Sequence, residues 1–238
     1  MIRISIVIPV YNEEKRLKKT FAALGALPAD PRFSVGEIIF VDDGSNDGTK
    51  KLIEDFRHSA SVKLVSYAKN RGKGYAVKQG MMAADSDYAL FLDADMSTPL
   101  GELKKFAPFM EQEARVIIGT RKTAGAKILK RQPYLRQKMG EVYTALANLA
   151  TGADVSDFTC GFKCFSREAI RGIFPHMKID RWSYDAEILY LARLRDLKIE
   201  EIPVEWTNDE DSRVRLGKDA LRSFLDLIKI RLTKYPER

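Results

Sequence analysis

Residues 88–99 read YALFLDADMSTP, an apolar run of strand length that ends on two carboxylates separated by a single alanine. Neighbouring aspartates repel unless something positive lies between them, so Asp93 and Asp95 pose a question that the strand itself does not answer. Aspartate is common in the turn that follows a strand, and that use needs no ligand. The alternative is a hard divalent cation, Mg²⁺ or Mn²⁺, which takes oxygen ligands and is held by one or two carboxylates plus phosphates and water. The company the strand keeps decides between them.

Three further runs, ISIVIPV at 4–10, EIIFVDD at 37–43 and VKLVSY at 62–67, are short and rich in β-branched or aromatic residues, as strands are. Helical patterns fill the intervals over 13–26, 47–56 and 74–84, the second with Ser45 or Asn46 as its cap. This alternation predicts an α/β fold with a mostly parallel sheet flanked by helices. Ligands of such sheets gather at the carboxyl ends of the strands. Unusual residues stand at each of these ends: Pro9, Tyr11, Asn12 and Glu13 after the first strand, Asp42 and Asp43 after the second, Asp93 and Asp95 after the fourth. A helix cap needs one acceptor, so two consecutive aspartates exceed it, and such a carboxylate can accept from a nucleobase imide or a ribose hydroxyl. The segment NRGKGYA at 70–76 is a basic, glycine-containing loop opening a helix, where backbone approaches ligands closely and anions are favoured. It is no Walker A loop, because the Gly-x-x-x-x-Gly-Lys-Ser/Thr spacing is absent.

The second half has a different character. A fifth strand, RVIIGTR at 115–121, follows a helical stretch over 100–110. Residues 121–138, RKTAGAKILKRQPYLRQK, then carry seven basic side chains and no acidic one. Over 136–149 Met139, Val142, Tyr143, Leu146 and Leu149 recur at helical spacing. DFTCGFKCF at 157–165 and IEEIPVEW at 199–206 read as strands around a helix at 184–194. An amphipathic C-terminal helix carries Leu221, Phe224, Leu225, Ile228 and Leu232 on one stripe. Residues 1–119 hold 17 Lys and Arg against 16 Asp and Glu, whereas 120–238 hold 23 against 17. Most of the net charge of +7 therefore sits in the second half, where nucleic acid, an anionic membrane surface or a phosphorylated substrate would each account for it. No run approaches the ~20 apolar residues of a spanning helix, and the N-terminal apolar run is too short for a secretory signal. Cys160 and Cys164 lack the partner His or Cys of a zinc site and read as reduced, partly buried thiols. One domain over 1–238 is the economical organisation.

In order and spacing, SIVIPVYNEE, IIFVDDGSNDGT, NRGKGYAVKQGM and FLDADMSTP resemble the family-2 glycosyltransferases of the GT-A, Rossmann-like fold. DFTCGFKCF, RWSYDAEILYLA and IPVEWTNDEDSRVR extend the resemblance to the branch that makes polyprenyl-phosphate sugars, especially the dolichyl-phosphate glucosyltransferases. The resemblance implies a nucleotide-binding half over 1–119 and an acceptor- and membrane-facing half over 120–238. It places Pro9, Tyr11, Glu13, Asp42, Asp43, Lys73 and Asp93 around a nucleotide sugar, with Asp42 facing the base. Asp93 and Asp95 become the metal pair for Mg²⁺ or Mn²⁺. Asp157 and Asp185 become the catalytic carboxylates, Asp185 following Trp182 and Tyr184, which could floor a sugar pocket. Lys163, Arg181, Arg213 and Arg215 become candidates to meet the acceptor phosphate.

The implied reaction is transfer of a hexose, glucose from UDP-glucose, to a polyprenyl or dolichyl phosphate, with inversion. GDP-mannose as donor and a carbohydrate hydroxyl as acceptor are the enzyme alternatives. Many such glucosyltransferases carry an N-terminal membrane helix, a pattern from which this sequence departs, so the expectation is a peripheral protein at the cytoplasmic face, by itself or with a membrane-protein partner. Nucleic acid is not the expected partner, because interleaved aromatic and basic platforms are missing and the strand ends are acidic.

Overall fold

The computed structural model describes residues 1–27, 29–209 and 218–236, the side chains of 218–220 excepted. Its strands are β1 (Ile2–Val10), β2 (Phe33–Asp42), β3 (Ser61–Ser66), β4 (Tyr88–Leu92), β5 (Val116–Thr120), β6 (Lys127–Lys130), β7 (Phe162–Ser166), β8 (Ile199–Pro203) and β9 (Glu205–Thr207). Seven of them form one sheet in the order β3-β2-β1-β4-β7-β5-β8, while β6 and β9 form a small parallel pair. In the main sheet β7 alone runs antiparallel to its neighbours. The helices are α1 (Glu14–Gly25), α2 (Thr49–Asp55), α3 (Lys73–Ala83), α4 (Leu103–Glu111), α5 (Tyr134–Thr151), α6 (Arg167–Ile173), α7 (Tyr184–Leu194) and α8 (Lys218–Leu232).

Successive residues of a strand point to opposite faces, and this is what splits the core in two. On β1, Ile6 and Ile8 pack into one layer and Val7 into the other. Ile38 and Phe40 of β2, with Leu90 and Leu92 of β4, join Ile6 and Ile8 beneath α1 and α4. Ile39, Val41 and Phe91 join Val7 against α3 and α7. A sheet covered on both faces explains why its central strands read as unbroken apolar runs. Chain order reverses on either side of β1, with β2 on one flank and β4 on the other. That reversal opens a crevice at the carboxyl ends of β1 and β4.

Three local expectations were off. Residues 157–161 are loop rather than strand, because the Asp157 carboxylate and the Thr159 hydroxyl are turned to the Arg121 guanidinium. The run 199–206 is two strands in two sheets: Pro203, without an N–H, ends the ladder with β5, and Glu205 then pairs with Lys127. Helix α6, which the sequence reading missed, starts where the Ser166 hydroxyl accepts from the Ala169 N–H at 3.2 Å.

The C-terminal helix is not docked by the stripe that defines its amphipathicity. Leu227 and Ile230 face inward, while Leu221, Phe224, Leu225, Ile228 and Leu232 are exposed. Helix α5 lies against α8 and likewise leaves Tyr134, Leu135, Val142 and Leu149 uncovered. Glu187 of α7 ties the end of the chain down, accepting from the Tyr235 hydroxyl at 2.6 Å and from the Lys178 and Ile179 N–H groups.

Candidate active site

A groove of about 1430 Å³ runs across the carboxyl ends of the strands, larger than the roughly 300–1,000 Å³ of ordinary small-molecule pockets. Pro9 of β1, Tyr11 and Glu13 just after it, Asp43 after β2, and Asp93 and Asp95 after β4 all border it. Two loops are knitted together to hold that wall. The Asn12 N–H donates to Ser45 Oγ at 2.9 Å, the Asn46 N–H to Asn12 Oδ1 at 2.7 Å, and the Glu13 N–H to Thr49 Oγ1 at 2.7 Å.

The two aspartates after β2 are both buried and both engaged. Asp42 accepts from the Ser45 N–H and the Ser66 hydroxyl, and it does not border the groove. Asp43 accepts from the N–H groups of Arg71 and Gly72 and from the Asn70 amide, all within 2.8 Å. It thereby fixes the loop that leads into α3. Gly72 sits at φ +114°, a backbone conformation closed to side-chain-bearing residues, and a Cβ there would strike the Asp180 carbonyl.

Lys73, the first residue of α3, answers the question posed by the paired aspartates. Its Nζ lies 2.5 Å from Asp93 Oδ1. The contact is an ion pair, and Oδ1 is given no other donor among the described residues. Burial works against the ammonium, but Asp93 together with Tyr184 and Asp185 outweighs it and raises its pKa well above the usual lysine value. The Asp95 carboxyl is pushed up as well, by burial and then by the charge of Asp93, against the Ser97 N–H donated at 2.8 Å. The turn between them is pinned from α1. Thr20 donates to the Ala94 carbonyl at 2.6 Å and Lys19 to the Asp95 carbonyl at 2.9 Å, while Met96 takes a left-handed φ of 54°. Gly161 lies directly against Asp93, where any Cβ would collide with the carboxylate.

Among the described residues no three His, Cys, Asp or Glu gather as a metal cluster. Two carboxylates on one turn nevertheless fit Mg²⁺ or Mn²⁺, which leave much of their shell to water and substrate phosphates.

Besides Asp42, two more residues expected at the site are not at its surface. Asp157 is fully buried and clamps Arg121, whose Nε and Nη2 donate to its two oxygens at 2.7 and 2.8 Å. Burial opposes both charges, yet Arg121 draws the Asp157 carboxyl down to about 2. Asp157, expected as a catalytic carboxylate, is thus engaged as the buried brace of Arg121. Lys163 is likewise fully buried: its ammonium donates to Asp185 Oδ1 at 2.5 Å and to the Cys160 carbonyl at 2.6 Å, which removes it from reach of an acceptor phosphate. Asp185 does border the groove, with its carboxyl pushed up by burial and pulled back by Lys163. Arg181 also borders the groove, whereas Arg213 and Arg215 lie outside the described residues.

Several groove residues escaped the sequence reading. Arg121, Lys122, Arg131 and Arg136 line it, although their basic segment read as a membrane-facing stretch. Trp206 lies 5.1 Å beneath the Arg121 guanidinium and borders the groove too. The buried hydroxyls of Tyr143 and Tyr184 have no partner among the described residues. The unbroken basic run was the available signal for the arginines, but nothing in it distinguished groove from surface.

The model of glycosyl transferase family 2 matches residues 5–174. The chain is 32% identical to the dolichyl-phosphate beta-glucosyltransferase of Dictyostelium discoideum, over 97% of this chain and 74% of the relative. Its identity to the enzyme of the same name from Homo sapiens is 33%, over 92% and 74% of the two chains. Among solved structures it resembles glucosyl-3-phosphoglycerate synthase from Mycobacterium tuberculosis in complex with Mg²⁺ and UDP. That likeness has a TM-score of 0.68 and 18% identity over 96% of this chain and 79% of the other. The same synthase with Mn²⁺, UDP and glucosyl-3-phosphoglycerate gives a TM-score of 0.67 and 20% identity over 97% and 80%.

Proposed function

The chain belongs to glycosyl transferase family 2, and from that premise we propose that it transfers glucose from UDP-glucose to a dolichyl or polyprenyl phosphate. One observation carries this reading. A single groove brings together the Asp93–Asp95 turn, the cations Arg121, Lys122, Arg131 and Arg136, and side chains of the otherwise exposed helices α5 and α8. Carboxylates suit a metal-bound diphosphate, cations suit an acceptor phosphate, and uncovered apolar helices suit the lipid that carries it.

The acceptor phosphate oxygen attacks the anomeric carbon, the bond from that carbon to the β-phosphate oxygen breaks with its electron pair, and UDP leaves. Inversion follows from attack opposite the leaving group. A divalent ion held by Asp93 and Asp95 would neutralise the departing diphosphate. Pro9, Tyr11, Glu13 and Asp43 border the nucleotide's place, and Tyr143, Trp182 and Tyr184 offer aromatic faces and hydroxyls to the sugar. No general base is required, since a phosphate monoester already carries negative charge at neutral pH. Asp185, one oxygen of which is held by Lys163 and whose carboxyl burial raises, is assigned to positioning the sugar.

The reading carries a peripheral location on the cytoplasmic face of a membrane. No helix among the described residues is long and apolar enough to cross one, and Cys160 and Cys164 are free, buried thiols that suit a reducing compartment. The test is incubation with UDP-glucose, Mg²⁺ and a short polyprenyl phosphate, set beside the matching unphosphorylated alcohol. Glucosylated lipid phosphate and an inert alcohol are expected, with activity lost in EDTA and restored by Mg²⁺ or Mn²⁺. Equal turnover of the alcohol would hand the chain to a hydroxyl-glycosylating reaction. Transfer from GDP-mannose alone would replace the donor.

A further inference from the structure

The Asp93–Lys73 pair stands where the metal and the diphosphate of the proposed reaction have to meet, and the inference rests on that reaction. A divalent cation cannot share Asp93 Oδ1 with an ammonium 2.5 Å away, because the two positive charges repel at that range. Two neighbouring carboxylates of the described residues are already engaged. Asp185, whose charge acts on Lys73, already holds Lys163 in a buried ion pair at 2.5 Å, and the Asp43 oxygens are filled by the Asn70–Gly72 loop. The diphosphate of the donor is the group that could take the ammonium.

The construction around Lys73 fits a head that moves on a root that does not. Its backbone follows Gly72, whose N–H is bound by Asp43, and the next turn is held where the Tyr75 N–H donates to the Asp180 carbonyl at 3.1 Å. The side chain itself is 31% exposed and is tied to Asp93 by its ammonium. Lysine, with four rotatable carbons and a point charge, can exchange one anion for another without disturbing the helix it starts from.

We propose that Lys73 is a placeholder cation for Asp93, released to the donor diphosphate when the metal arrives, so that metal and nucleotide bind as a cooperative pair. In the nucleotide-free protein the metal sees only the fraction of molecules in which Lys73 has left Asp93, and its apparent affinity falls by that fraction. Nucleotide removes the penalty, and by linkage the metal strengthens nucleotide binding by the same factor.

The experiment is Mn²⁺ binding to the whole chain without lipid or sugar, followed by the electron paramagnetic resonance of free Mn²⁺, with and without UDP. Wild type, Lys73→Met and Lys73→Arg are compared after thermal unfolding shows that each is folded, with Lys73→Gln replacing Lys73→Met if that variant is not. Without UDP, Lys73→Met is expected to bind Mn²⁺ at least about 5-fold tighter than wild type, the lower end of ordinary coupling between two ligands. UDP should then tighten Mn²⁺ strongly in wild type and Lys73→Arg, and much less in Lys73→Met. Equal or weaker Mn²⁺ binding by Lys73→Met overturns the placeholder. If wild type still binds UDP with Mn²⁺ in that case, the glycosyl-transfer reading stands without it. Failure of wild type to bind UDP at all, with or without Mn²⁺, removes both.

Discussion

Replacing Asp157 by asparagine separates a brace from a catalyst. The substitution keeps the shape of the side chain and removes its charge, leaving the Arg121 guanidinium, only 15% exposed, without its counter-ion. An unfolded aspartate titrates near 3.9, whereas Asp157 in the fold sits at about 2. Its ionised form therefore contributes about 2–3 kcal/mol to stability by proton linkage. Removing one partner of a buried pair costs roughly 3–5 kcal/mol in general, and the exposure of Arg121 to the groove argues for the lower figure. Because the folded value is depressed, the contribution is fully present above pH ~4 and is lost as the pH falls through ~2. Asparagine does not titrate, so the gap between wild type and Asp157→Asn should be widest at neutral pH and close as the solution is acidified. Urea unfolding at pH 7, 5, 4 and 3 measures it, and Trp206 beside Arg121 supplies a fluorescent reporter. At neutral pH the loss corresponds to a fall in Tm of roughly 5–10 °C for a chain of this size. A gap independent of pH would refute the linkage argument. Undiminished stability with abolished turnover would return Asp157 to the chemistry.

Gly161→Ala should lose most Mn²⁺–UDP binding by calorimetry, since the new Cβ would collide with the Asp93 carboxylate; binding unchanged from wild type would mean that Asp93 is free to shift. Asp185→Asn should lower turnover without removing a basic or acidic limb from the pH–rate profile, because Lys163 already holds that carboxylate; loss of a limb would identify a proton acceptor after all. Flotation with vesicles should require anionic lipid and fade with salt, each basic residue near the surface being worth about 1 kcal/mol. Leu225→Glu with Leu232→Glu should abolish it, as both leucines lie on the uncovered face of α8, and equal recovery on neutral lipid would sink the electrostatic half of the argument.

Periodicity alone was enough for the sheet and most of its helices. Strands buried on both faces are written as unbroken apolar runs, and α7 falls on the predicted 184–194 because its pattern is local. The carboxyl-end rule likewise reached Pro9, Tyr11, Glu13, Asp43, Asp93 and Asp95, all of which border the groove. What sequence could not supply was the partner of each charge, since pairing depends on chain segments far apart. Asp157 and Arg121 are 36 residues apart and Lys163 and Asp185 are 22 apart, and a carboxylate looks the same in sequence whether it meets a substrate or an arginine. The same holds for the C-terminal helix: its stripe was legible, but only the packing of Leu227 and Ile230 against the body decided that the stripe faces outward. Lys73 is the sharpest instance. Sequence placed a lysine in a flexible basic loop, and tertiary structure set its ammonium on Asp93, because adjacent carboxylates at a buried strand end need a positive charge and the fold brings the start of α3 within its reach.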